Sequence, residues 1–157
     1  MLRIACLVVA LLTATVTHAD DLSARDGWMV VPTGKSHDQL VSDVKAAVKE
    51  NGLIVVTQAG PTKAAAARGI TIPGNRVIGV FNNDFAVRVL ATSTAAMIEA
   101  PVRFYVTENA DGTATLSYKT PSFVFAPYTE GGTELLAIAQ ELDSRFDAIA
   151  KAAASSQ

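Results

Sequence analysis

The sequence is poor in the residues that carry thiol and imidazole chemistry. Cysteine occurs once in 157 residues, as Cys6, and histidine twice, as His18 and His37. Cys6 and His18 both fall in an N-terminal stretch that reads as a removable leader. The chain left after processing is therefore expected to hold no thiol and one imidazole. That inventory excludes a Cys nucleophile, a disulfide, and a zinc site made of several His or Cys ligands from one chain. A Ser-His-Asp triad would have to use His37. No metal and no cofactor is expected. Blocks of basic residues are missing too: 13 Lys and Arg are scattered among 15 Asp and Glu, which argues against a nucleic-acid partner. Past the leader no apolar run approaches the roughly 20 residues that span a bilayer, so no membrane partner is expected after its removal.

Half of the residues are hydrophobic, 18% are charged, and the mean hydropathy is +0.29. Part of that excess is local. Residues 1–19, MLRIACLVVALLTATVTHA, place Arg3 before an apolar run from Ile4 to Leu12 and end in Thr17-His18-Ala19. This is the order of a secretory signal peptide, with small residues where the peptidase reads. Cleavage is expected after Ala19, with the mature protein periplasmic or secreted. Removal takes away Arg3 and no acidic residue, leaving 12 basic and 15 acidic side chains, a net charge of −3. Residues 20–157 form one expected domain, long enough to bury a core. Without disulfides, that core must hold it together.

Periodicity divides this domain. Trp28 to Pro32 reads as a short strand. Ser36-His37-Asp38-Gln39 has the spacing of a capping box, in which Ser36 and Gln39 satisfy each other's amides. Leu40, Val41, Val44, Ala47 and Val48 follow at helical spacing until Asn51-Gly52. Leu53 to Thr57 is a β-branched strand. Gly60-Pro61 opens a short Ala-rich helix that stops at Gly69. Arg76 to Phe81 reads as a strand buried on both faces. A helix is expected from Asp84 to about Ile98, ended by Pro101. Residues 121–127 look irregular, with room for a short edge strand. A last helix, 133–152, carries Leu135, Ile138, Ala139, Leu142, Phe146 and Ile149 on one stripe, with fraying expected from Ala152 onward.

Val102–Glu108 and Thr113–Lys119 both alternate, and Asn109-Ala110-Asp111-Gly112 lies between them, so they read as a β-hairpin. The register follows from the apolar sets. Val102, Phe104 and Val106 must share a face with Ala114, Leu116 and Tyr118. A three-residue loop, Ala110–Gly112, achieves this by pairing Asn109 with Thr113 and Phe104 with Tyr118. Gly112 then takes the left-handed position. The other face carries Arg103, Tyr105, Ser117 and Lys119.

Three stretches, VIGVFNN at 77–83, IEAPVRFYVTE at 98–108 and DGTATLSY at 111–118, carry a resemblance to the bacterial domain of unknown function 302. The likeness covers roughly residues 36–128. It implies an α+β fold similar to half of a TATA-binding protein. That is a curved antiparallel sheet of about five strands, with two long helices and one short helix packed on one side. It also implies a homodimer. Asn83 stands where the family often has Pro, and Gly60-Pro61 stands near a position that is often His. No role resting on that His carries over.

Several residues are candidates for binding. Asn82, Asn83 and Asp84 sit where a strand gives way to a helix. They suit an N-cap, or alternatively a polar ligand at the helix terminus. Arg103 and Lys119 face each other across the hairpin. Like charges so placed are unfavourable and call for Glu99, Glu108, water, solvent exposure or an anionic ligand. Tyr105 and Ser117 add hydrogen-bonding groups beside them. His37, in a first helical turn, is expected to be exposed. Phe123, Phe125 and Tyr128 suit core or interface packing. The function expected is an exported, non-catalytic module that binds a small, partly apolar or anionic ligand, or a partner protein, in a concavity between sheet and helices. The alternatives are an enzyme using Asp84 or Glu108 with Arg103, and a structural or stress-related envelope protein.

Overall fold

A computed structural model describes residues 22–155; the expected leader, 1–19, lies outside the described residues. Five strands form one antiparallel sheet. They are β1 (Trp28–Thr33), β2 (Ile54–Ala59), β3 (Asn75–Phe81), β4 (Val102–Glu108) and β5 (Ala114–Lys119). Their spatial order is β1-β5-β4-β3-β2. The first two strands in sequence are thus the two edges. Helix α1 (His37–Glu50) carries the chain from one edge to the other. The remaining helices are α2 (Thr62–Ala66), α3 (Asn83–Thr92), α4 (Pro121–Phe125) and α5 (Gly132–Ala154), with 3-10 turns at Ala96–Glu99 and Thr129–Gly131. No described helix is long and apolar enough to cross a membrane.

The hairpin has the register its alternation demands. Phe104 pairs with Tyr118, Tyr105 with Ser117 and Val106 with Leu116. The Asn109 amide donates to the Thr113 carbonyl at 2.8 Å, and Gly112 has φ +82°. A two-residue loop would have turned half of the apolar set to the wrong side.

On one face of the sheet, Ile78, Phe104, Val106 and Leu116 are fully buried against Leu40, Val44 and Val48 of α1 and Phe146 and Ile149 of α5. Burying each such side chain contributes about 1.5–3 kcal/mol. Phe104 stacks on Phe146 at 4.4 Å between centroids and meets Tyr118 edge-on at 5.2 Å. A second cluster joins Phe85 and Val89 of α3 to Phe125 and the middle of α5.

Five local expectations are corrected. The helix after Asn82 ends at Thr92, not Ile98, because Ser93 is extended (φ −152°). Its hydroxyl donates to Glu130 and accepts from the Ala96 amide, which starts a separate 3-10 turn. Residues 121–125 form a helix rather than an edge strand: Thr120 Oγ1 accepts from the Phe123 amide and Pro121 occupies the first turn, a position its missing N–H suits. Ser36 caps α1 as expected, but Gln39 donates forward to Asp43 (2.7 Å) instead of back to Ser36; the charged acceptor is the stronger one. Helix α5 continues to Ala154, because Ala153 is fully buried under the core and its carbonyl accepts from Lys35 at 2.8 Å. Strand β3 is buried on the core side, whereas Val77 on its other face is half-buried.

Candidate functional site

Among the described residues, no helix layer covers the face of the sheet away from α1 and α5. Its residues alternate with the core set: Trp28 and Val30 on β1, Ser117 and Lys119 on β5, Arg103 and Tyr105 on β4, Val77 and Gly79 on β3. A concavity of about 530 Å³ opens here. Strands β1, β5, β4 and β3 form its floor. Gly60-Pro61 forms one wall, and Glu99 and Val124 close the other side. The concavity thus lies on the opposite side of the sheet from the long helices, not between sheet and helices. The helices fill their own side with core, which leaves a cavity of only about 40 Å³ there, lined by Val80, Phe85, Leu142 and Phe146 among others.

Two small residues lie along this face. Ser117 lies between Val30 and Tyr105 in the strand register. Gly79 faces Arg103. A Cβ at Gly79 would lie 2.1 Å from Thr57 Oγ1 and 2.8 Å from Pro101 Cγ, so only glycine fits.

Four of the six residues selected from sequence, Arg103, Tyr105, Ser117 and Lys119, line this one concavity. Ser117 is fully buried, and its hydroxyl has no hydrogen-bond partner. Leaving a buried polar group unmatched costs about 1–3 kcal/mol. Arg103 is exposed at the rim and makes no ion pair or hydrogen bond among the described residues. Lys119 places Nζ 5.7 Å from the Trp28 ring centroid, and Arg25 approaches the same ring at 5.4 Å. The indole face therefore offsets part of the charge crowding around Lys119. Glu99, the one carboxylate lining the concavity among the described residues, accepts from the Tyr128 hydroxyl at 2.6 Å. That bond pushes the Tyr128 pKa up.

Asn82 and Asn83 lie elsewhere. Asn82 Oδ1 accepts from the Asp84 and Phe85 amides at 2.9 and 3.1 Å, while its Nδ2 donates to the Gly52 carbonyl at 2.9 Å. It caps α3 and pins it to the loop after α1. Asn83 is exposed in the first turn. Phe125 is core, Phe123 packs on Gly27, and Tyr128 is half-buried beside Glu99. His37 is not exposed: its side chain retains 13% of its accessible surface. Trp28 was not selected from sequence, because nothing local says that the first strand lies beside the last. Among the described residues no group of three or more His, Cys, Asp or Glu is placed to hold a metal ion.

The family described as "Domain of unknown function DUF302" matches residues 29–153, and the chain belongs to it. A solved structure, the uncharacterized conserved protein DUF302 from Bacillus stearothermophilus, has the same fold, with a TM-score of 0.72. It is 18% identical in sequence, and the match covers 82% of this chain and 98% of that one. No curated protein matches.

Proposed function

We propose that this DUF302-family protein is a non-catalytic binding module whose uncovered sheet face takes a small, partly apolar anion. The observation that carries the reading is Ser117: a fully buried hydroxyl without a partner, at the floor of a concavity rimmed by two cations. Val77, Val102, Val124 and Trp28 supply apolar wall for the body of the ligand. Arg103 and Lys119 supply charge for its acidic end, and an anion between them relieves their mutual repulsion. The carboxylates considered for acid–base chemistry do not support the enzyme reading. Glu108 lies five residues beyond Arg103 on β4, roughly 16 Å at 3.3 Å per residue, and donation from the Gly74 amide occupies it. Asp84 belongs to the α3 cap region.

Export and homodimerisation belong to the same proposal. Intact mass of the protein purified from an expressing bacterium is expected to begin at Asp20, and sedimentation is expected to give twice the chain mass. An uncleaved monomer overturns both. The binding reading is tested by native mass spectrometry of the purified protein. A co-purifying small anion is expected, and Arg103→Ala should lose it while keeping its melting temperature. If Arg103→Ala retains the species, or if the protein carries none and takes up no fatty or aromatic carboxylate, the reading fails.

A further inference from the structure

Beyond the uncovered sheet face, a second cleft of about 390 Å³ lies where α1 begins and β4 ends. Ser36, His37, Lys63, Gly74, Arg76 and Glu108 are among the residues that line it. Of the four buried side-chain polar atoms without a partner among the described residues, two are here: His37 Nε2 and Arg76 Nε. They come from different elements, a helix and a strand, and converge on one opening. Gly74 makes the convergence possible. A Cβ there would lie 2.8 Å from His37 Cγ and 3.1 Å from Glu108 Oε2. The Gly74 amide donates to Glu108 Oε2 at 2.6 Å and fixes that carboxylate.

The chemistry of the two orphan atoms selects a ligand. Arg76 Nε–H can only donate. His37 Nδ1 is 3.2 Å from Asp38 Oδ1. With the ring neutral and its proton on that side, Nε2 carries a lone pair and needs a donor. In that tautomer the occupant accepts from arginine and donates to imidazole. The formal charges are balanced, Arg76 and Lys63 against Asp38 and Glu108, which does not favour a bare dianion. An oxyanion that brings its own proton meets every condition.

We propose that this cleft is a second site, separate from the sheet face, and that it binds a protonated phosphate group through His37, Arg76 and Lys63. The group is either free phosphate, which keeps a P–OH in both of its neutral-pH forms, or the monoanionic head of a phosphomonoester, which keeps one below its second pKa of about 6; both then offer P–O acceptors and a P–OH donor. Water also donates and accepts, and a cleft filled only with water is the competing account.

The test follows the imidazole nitrogens of the full chain, labelled with ¹⁵N-histidine, near neutral pH; a His37→Gln variant assigns the His37 signal. Inorganic phosphate is expected to move the Nε2 resonance saturably. Sulfate at equal ionic strength, lacking the proton, is expected to bind about tenfold more weakly, as one charge-assisted hydrogen bond implies. Arg76→Gln is expected to weaken phosphate about tenfold or more. Lys63→Gln, an exposed change with no fold to disturb, should weaken it about two- to fivefold. Glycerol phosphate, compared with phosphate at about pH 6 where its head keeps a P–OH, separates the sources: if it binds like phosphate the site takes phosphomonoesters, and if it does not the site takes the free ion. A phosphate response no larger than that of chloride at matched ionic strength overturns the proposal in favour of water. So does a response that Lys63→Gln leaves unchanged, even if Arg76→Gln fails to fold. Neither result bears on Arg103 or Ser117, so this site and the sheet-face reading fail independently.

Discussion

The two faces of the sheet are one residue apart in sequence and opposite in chemistry. On the core face, Phe104 stacks on Phe146 and edges against Tyr118, and all three rings are buried. On the uncovered face, Arg103, Tyr105, Ser117 and Lys119 occupy the alternate positions of the same two strands. Ser117 and Thr107 there hold buried hydroxyls with no partner. Both faces exclude water at their centre, but for different reasons. The core face does so with large apolar side chains from the sheet and from helices α1 and α5. The uncovered face does so with short residues sunk between taller neighbours, Ser117 between Val30 and Tyr105. A surface of the second kind gains little stability from its own packing, and its rim groups, Arg103, Tyr105 and Lys119, stay accessible. The contrast separates residues that hold the fold from residues free to serve a ligand.

The largest effect should come from the core. Phe146→Ala removes the ring stacked on Phe104 at a fully buried position, and a loss of about 3–5 kcal/mol is expected in urea unfolding. A loss below 1 kcal/mol would mean that α5 does not anchor the sheet. The comparison is strained by Gly79, which sits on the uncovered face but is expected to behave as core. Gly79→Ala must push aside Thr57 and Pro101, a cost of about 1–3 kcal/mol. If it proves neutral, the approach of Pro101 to the sheet is looser than the packing implies.

Acid should also act on the helix side first. Lys35 Nζ lies 2.6 Å from Asp43 and 2.8 Å from the Ala153 carbonyl, tying α1 to the end of α5. The hydrogen bond from Lys35 holds the Asp43 carboxyl below its ordinary value, with help from Gln39. A lowered folded-state pKa stabilises fully above the unfolded value, near 3.9, and that contribution is lost as pH falls through the folded one. Asp43→Asn should therefore cost about 1 kcal/mol at neutral pH. It should also flatten the stability curve below about pH 4. Equal acid sensitivity in the variant would place the titration elsewhere.

How much of this was legible depended on whether a signal was local. The hairpin register could be read because two alternating sets had to coincide, and the structure pairs Phe104 with Tyr118 accordingly. The Ser36 cap and the α5 stripe were legible for the same reason. That four of the candidate residues gather in one concavity followed from the same register. What could not be read was long-range. Trp28 meets Lys119 only because β1 lies beside β5. Ser93 breaks the third helix because Glu130, 37 residues away, engages its hydroxyl. His37 is drawn in because Gly74 leaves space for its ring. The helix at Pro121 differs in kind: Thr-Pro at its start is a local N-terminal signal, and the aromatics that follow mask it.

The smallest stability effect should be the most telling. Ser117→Ala deletes a hydroxyl that is buried and makes no hydrogen bond. On the core face, trimming a buried side chain costs stability; here the variant should be unchanged or stabler by up to about 1 kcal/mol, because an unmet polar group disappears. The same variant should hold a bound anion less tightly, since the floor of the concavity loses its only buried polar contact to that ligand. Thermal unfolding with and without a bound carboxylate separates the two. A lowered melting temperature for the unliganded variant would mean that Ser117 supports the sheet through a partner, such as ordered water, and the two faces would then be alike in kind. A stable variant whose ligand-induced rise in melting temperature shrinks would assign the hydroxyl to binding.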